Sequence, residues 1–196
     1  MTFDLILEIL GFTIGLLYLW WEYYADAKVW IASVVMPAIS MWIYYSKGLY
    51  ADFGINIYYL LIAVYGFVSW TRGESKSKHG ALKITHIGWL TGVAAVCATL
   101  LLWRLIWWIL VEFTDSTVPV ADAFTTSLSI VGLWMLARKY VEQWLAWFVV
   151  DIVCCALYYY KGINFYCVLY GIYTVIALLG YRKWMRLMKS QDYGKE

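Results

Sequence analysis

The segment IYYSKGLY (Ile43–Tyr50) returns in altered form as LYYYKGIN (Leu157–Asn164), 114 residues further along the chain. At the same spacing, and without a gap, identical residues return from the first apolar run to the last. They include the pairs Trp20 and Trp134, Trp30 and Trp144, Lys47 and Lys161, Gly66 and Gly180, and Trp70 and Trp184. Because aligned tryptophan and glycine pairs arise by chance far less often than aligned leucines, this pattern indicates an internal duplication.

The composition places this duplication in a membrane protein. The chain has 196 residues, of which 64% are hydrophobic and 14% are charged. Soluble domains average about 45–50% apolar and about 25% charged residues, so a soluble globule with this composition would have a largely apolar surface. The composition therefore excludes a soluble enzyme, a disordered tail and a nucleic-acid-binding domain.

Seven apolar runs approach the length of about 20 residues that a helix needs to cross a bilayer. They are Leu5–Tyr24, Val29–Tyr45, Gly54–Trp70, Ile87–Val111, Ala123–Ala137, Trp144–Tyr160 and Phe165–Tyr181. The two copies begin four crossings apart, so we expect them to run in the same direction. The predicted fold is an all-α polytopic membrane protein with a 3+1+3 parallel repeat. Its parts are a first repeat (1–72), a linker loop and helix (73–114), a second repeat (115–186) and a cytoplasmic tail (187–196).

The distribution of basic residues predicts how the chain is oriented across the membrane. The net charge is only +2, but the lysines and arginines are divided unevenly between the two sides of the seven-helix arrangement. Twelve fall on one side, only Lys47 and Lys161 fall on the other, and Arg104 lies inside a span. Because basic residues concentrate in cytoplasmic loops, the sequence predicts a multi-pass protein of the cytoplasmic membrane with its N-terminus outside and its C-terminus inside.

The best candidate for ligand binding is Asp151, in the apolar run AWFVVDIVCC of helix six. Trp144 and Trp147 precede it by seven and four residues, a spacing that places all three on one helical face. A carboxylate beside indole rings suits a cationic ligand. The alternative is that Asp151 pairs with Arg104 or bonds a neighbouring helix while the tryptophans pack.

Parallel repeats are typical of transporters whose substrate binds between the two halves. Aromatic and polar residues that could line such a site are Trp42, Asn56, Tyr58, Tyr59, Ser127, Ser129 and Trp134. Each of them could equally serve helix packing. The repeat equivalent of Asp151 is Pro37, so the two halves differ at the centre.

No enzyme motif occurs in the sequence: HExxH, a Walker loop and a paired-carboxylate spacing are all absent. We therefore expect no enzymatic activity, no cofactor and no metal site. The four cysteines, all within apolar runs, are interpreted as small core residues. A membrane scaffold or an enzyme subunit is the alternative from another functional class.

The segments Tyr44–Trp70 and Leu136–Trp184 resemble the PnuC family of vitamin transporters. The resemblance implies the 3+1+3 fold of full-length SWEET transporters and facilitated diffusion of nicotinamide riboside, thiamine or riboflavin. It also implies trapping of the vitamin by a cytoplasmic kinase and a homotrimer. The WxxWxxxD motif of the family falls on Trp144, Trp147 and Asp151.

The choice of vitamin depends on two other positions. Nicotinamide riboside members often carry Gln before the helix-five tryptophan and Asn near the middle of helix two. Here those places are Leu133 and Met36–Pro37. This departure favours the thiamine branch, PnuT, with nicotinamide riboside as the alternative substrate.

Overall fold

The computed structural model describes residues 3–46, 50–72, 82–160, 162 and 164–193. These residues form seven α-helices, which confirms the predicted all-helical fold. The helices are α1 (Phe3–Tyr23), α2 (Val29–Ser46), α3 (Tyr50–Arg72), α4 (Trp89–Phe113), α5 (Pro119–Ala137), α6 (Gln143–Tyr160) and α7 (Asn164–Tyr193).

Four helical stretches of the described chain are long and apolar enough to cross a membrane: Gly54–Arg72, Trp89–Phe113, Pro119–Ala137 and Gln143–Tyr160. Helix α4 buries none of its residues in the protein, as expected for a helix whose surface is covered by lipid. Helix α7 extends past the predicted end of its span at Tyr181 as far as Tyr193. The extension is missed by hydropathy because its residues are polar.

The chain divides into two compact units, residues 1–82 and 83–196. In the first unit, α2 packs against both α1 and α3. In the second, α6 packs against both α5 and α7, and α4 packs against α5. Each unit therefore has a central helix, α2 or α6, that contacts two others.

The turn between the first two helices of each repeat has the same backbone hydrogen bonds in both units. Ala25 and Lys139, which are 114 residues apart, both have a φ of 55°. In one unit the Asp26 amide donates to the Trp21 carbonyl at 2.9 Å, and in the other the Tyr140 amide donates to the Met135 carbonyl at 3.0 Å. This is the Schellman ending of an α-helix, so the duplication extends to the geometry of a helix cap.

Residues 84–87, which we call the strap, lie against the turn between α5 and α6. Thr85 accepts a hydrogen bond from the Val141 amide and donates one to the Lys139 carbonyl, both at 3.1 Å. The Glu142 carboxylate bonds His86 Nδ1 at 2.6 Å and the Ile87 amide at 3.0 Å. The strap is therefore fixed to the turn before α6 by main-chain and side-chain bonds.

Candidate functional site

Asp151 lies midway along α6 and is only 7% exposed. No residue in the described parts of the chain forms an ion pair or a hydrogen bond with its carboxylate. The alternative partner, Arg104, instead places its guanidinium 4.5 Å from the centre of the Trp107 ring. A buried carboxylate without a protein counter-ion is costly in an apolar setting, and such groups in membrane helices usually have a functional role.

Two tyrosines of α7 lie near this carboxylate, and one of them belongs to a stack of tyrosine rings between α6 and α7. Tyr170 and Tyr173 lie within electrostatic range of Asp151. The Tyr158 ring stacks on Tyr166 at 5.1 Å and on Tyr170 at 5.3 Å, with interplanar angles of 24° and 18°. The sequence reasoning missed this group, although the spacing of the three α7 tyrosines along one helical face could have revealed it.

The two tryptophans of the WxxWxxxD motif have different surroundings. Trp144 is 2% exposed, lies against Gly180 and makes an edge contact with Trp184 at 6.0 Å between ring centroids. Trp147 lies near Gly132 of α5, and its buried indole N–H has no acceptor among the described residues. The indole N–H of Trp144 also has no acceptor among the described residues, so the two tryptophans differ in their neighbours: Trp144 packs against α7 and Trp147 lies near α5.

Gln143, the first residue of α6, was not predicted as a site residue. Its side chain is fully buried, and neither its amide nitrogen nor its amide oxygen has a partner within the described ranges. Gln143, Trp147 and Asp151 succeed one another at intervals of four residues and so share one face of α6. We call these three residues the polar lane.

The other predicted site residues of the second unit lie on α5. Ser129 is half-buried, and the buried Ser127 hydroxyl donates to the Phe124 carbonyl at 2.9 Å. Trp134 makes an edge contact with Tyr140, 5.8 Å between centroids, in the turn that precedes α6. The structure thus brings Trp147 and Asp151 onto one face and places Trp134 beside the turn.

The first unit carries the remaining candidates. Asn56 is buried in α3, and the rings of Tyr58 and Tyr59 meet at 5.9 Å. Pro37 lies inside α2 as predicted. Trp42 also belongs to α2, but its side chain lies outside the described part of the structure.

Metal-binding clusters are missing from the part of the chain that the structure describes, since no three His, Cys, Asp or Glu side chains gather there. The Sγ atoms of Cys155 and Cys167 lie 3.5 Å apart on neighbouring helices. They line a groove of about 470 Å³ between α6 and α7, formed by Ile152, Cys155, Ala156, Tyr159, Cys167, Gly171 and Thr174. Asp151 does not line this groove.

Comparison with known proteins gives a family match over most of the chain. Residues 5–186 match the family described as nicotinamide mononucleotide transporter. The nicotinamide riboside transporter PnuC of Escherichia coli (strain K12) is 24% identical over 175 residues, which are 76% of this chain and 72% of that protein. The riboflavin/roseoflavin transporter RibM of Streptomyces davaonensis is 29% identical over 126 residues, which are 64% of this chain and 59% of that protein.

A solved structure shares the fold. The crystal structure of the vitamin B3 transporter PnuC matches with a TM-score of 0.65 and 20% sequence identity, over 90% of this chain and 79% of that one. The similarity supports the predicted seven-helix architecture independently of the sequence pattern.

Proposed function

This chain belongs to the nicotinamide mononucleotide transporter family, and we propose that it carries nicotinamide riboside across the cytoplasmic membrane. It is a membrane vitamin transporter of the PnuC type. The preference for thiamine that Leu133 and Met36–Pro37 suggested gains no support from the relatives. Those relatives carry nicotinamide riboside or riboflavin and roseoflavin, so the alternative substrate becomes the leading one.

The observation that supports this choice is the buried carboxylate of Asp151, which has no partner among the residues that the structure describes. Nicotinamide riboside has a pyridinium ring with a fixed positive charge, whereas the ring system of riboflavin is neutral. A cation beside Asp151 would supply the counter-ion that no described residue provides, and the nearby tyrosine rings would add cation–π attraction. The charge of Asp151 therefore favours nicotinamide riboside over riboflavin.

We assign substrate contacts to Asp151 and Trp147, because Trp144, whose indole N–H is also without an acceptor among the described residues, packs on Gly180 as its repeat equivalent Trp30 packs on Gly66. Trp144, Asn56, Tyr59, Trp42, Ser129 and Trp134 stay predictions. Facilitated diffusion, trapping by a cytoplasmic kinase, the homotrimer and the outside N-terminus are likewise proposals, taken from the family resemblance and the charge distribution.

Uptake by purified protein in liposomes tests the function. We expect radiolabelled nicotinamide riboside to enter faster than into empty vesicles, and unlabelled nicotinamide riboside to compete better than thiamine or riboflavin. Uptake no faster than in empty vesicles would contradict the proposal. Preferential competition by thiamine would assign the chain to the thiamine branch.

The variant Asp151→Asn tests the residue that supports the choice. Loss of a buried charge partner should weaken nicotinamide riboside binding roughly 30-fold or more. The matched control is Asp26→Asn, because Asp26 lies in the turn after α1, where it contacts Lys28 at 3.5 Å. Equal affinity of the wild type and D151N for nicotinamide riboside would show that Asp151 does not contact the substrate.

A further inference from the structure

The polar lane of α6 has three successive polar groups without partners among the described residues. They are the Gln143 amide, the Trp147 indole N–H and the Asp151 carboxylate. Burying a polar group without a hydrogen-bond partner costs free energy. An amide that leaves both a donor and an acceptor unused costs more than an indole N–H, which leaves only a donor unused. Three of them in a row on one helix face call for an explanation.

The first unit supplies an internal comparison, because the duplication gives each lane residue an equivalent on α2. Val29 stands at the position of Gln143 and is also fully buried. Ser33 stands at the position of Trp147, and its hydroxyl donates to the Val29 carbonyl at 2.9 Å. Pro37 stands at the position of Asp151. The equivalent face of α2 therefore carries no unsatisfied polar side chain at these three positions.

The comparison of the two repeats shows which of the unsatisfied groups accompany helix packing and which do not. Trp30 and Trp144 are equivalent, and the indole N–H of each is buried without an acceptor among the described residues. That feature is common to both units and accompanies their shared packing on a glycine. The amide of Gln143 has no such counterpart, and Val29 shows that the fold accepts an aliphatic side chain at this place. Packing therefore does not explain Gln143.

We propose that Gln143 is a substrate-binding residue that hydrogen-bonds the uncharged polar part of the substrate, its carboxamide or ribose hydroxyls. The proposal rests on the proposed function, in which Asp151 receives the positive charge. Eight residues separate Gln143 from Asp151, so the two lie about 12 Å apart along the helix axis. Trp147 lies halfway between them. A nucleoside is long enough to interact with successive groups along this lane.

The test replaces Gln143 by methionine, which has a similar length but forms no strong hydrogen bond. Binding of nicotinamide riboside, 1-methylnicotinamide and ribosylpyridinium is measured by quenching of tryptophan fluorescence. We expect Q143M to weaken nicotinamide riboside binding about tenfold, since one hydrogen bond to a buried group is lost. The analogue that lacks the group contacted by Gln143 should bind wild type and Q143M equally.

A second measurement examines the ligand-free protein. Because Q143M removes an amide that bonds to none of the described residues, it should raise the melting temperature by a few degrees. Gln191→Met is the matched control: Gln191 Oε1 accepts a hydrogen bond from the Ile84 amide at 3.1 Å. Its loss should lower the melting temperature.

The outcomes distinguish the two proposals. If wild type binds nicotinamide riboside and Q143M binds it equally well, the role of Gln143 is wrong while the proposed function stands. If wild type binds none of the three compounds, the proposed function fails, and the melting temperature still decides whether the amide is unsatisfied. A fall in melting temperature for Q143M, as in Q191M, would overturn the inference.

Discussion

The indole ring of Trp144 lies so close to Gly180 that a Cβ atom on this glycine would come within 2.6 Å of the ring. Trp30 lies on Gly66 in the same way in the first unit. Each tryptophan also contacts a second one by its edge, Trp184 at 6.0 Å and Trp70 at 5.6 Å. The duplication therefore preserves a complete packing unit of one glycine and two tryptophans.

Gly180→Ala should lower the stability of the protein, because the added methyl group must displace a fully enclosed ring. Overpacking of this kind typically costs about 1–3 kcal/mol in the free energy of unfolding. The melting temperature measured by intrinsic fluorescence reports the change. Gly171→Ala is the control on the same helix, since a Cβ atom there meets nothing within 4 Å. It should be neutral or stabilising, and equal losses in the two variants would contradict the packing argument.

The sequence predicted much of this fold because hydrophobic length and the 114-residue offset are properties of the chain alone. It also predicted that Trp147 and Asp151 share a face. It did not separate Trp144 from Trp147, because that difference depends on which residue of α5 or α7 lies opposite. Gln143 lies just before the predicted start of helix six at Trp144, and an amide at a helix end gives no sign of being buried. The α7 tyrosines share one helical face by their spacing, but the spacing alone does not show that Tyr158 of α6 stacks on them.

Ala25→Gly should stabilise the first unit. Ala25 has a φ of 55°, a left-handed conformation that costs non-glycine residues roughly 1 kcal/mol and that glycine adopts without strain. Relief of this strain should exceed the entropy that glycine adds to the unfolded chain, so we expect a slightly higher melting temperature. Ala27→Gly, in the same turn but without a positive φ, should lower it. A loss in both variants would show that the helix cap is not strained.

Glu142→Ala should release the strap. The Glu142 carboxylate holds both His86 and the Ile87 amide, and bonds to a charged group contribute about 1.5–3 kcal/mol. Hydrogen exchange at residues 84–87 should therefore become at least tenfold faster. Glu112→Ala, at an exposed position of α4, is the control and should leave this exchange unchanged. Unaltered exchange in E142A would mean that the main-chain bonds of Thr85 are sufficient.

Cys155 and Cys167 should form a disulfide when the purified protein is treated with a mild oxidant. Their Sγ atoms are 3.5 Å apart, and a small side-chain rotation can bring them to bonding distance. Cys154 is adjacent in sequence but does not line the groove that Cys155 and Cys167 share, so it should stay reduced. Mass spectrometry of non-reduced peptides identifies the linked pair, and Cys155→Ser should abolish it. A bond between Cys154 and Cys167 instead would show that α6 is rotated about its axis relative to α7, and the assignment of the polar lane would then have to change as well.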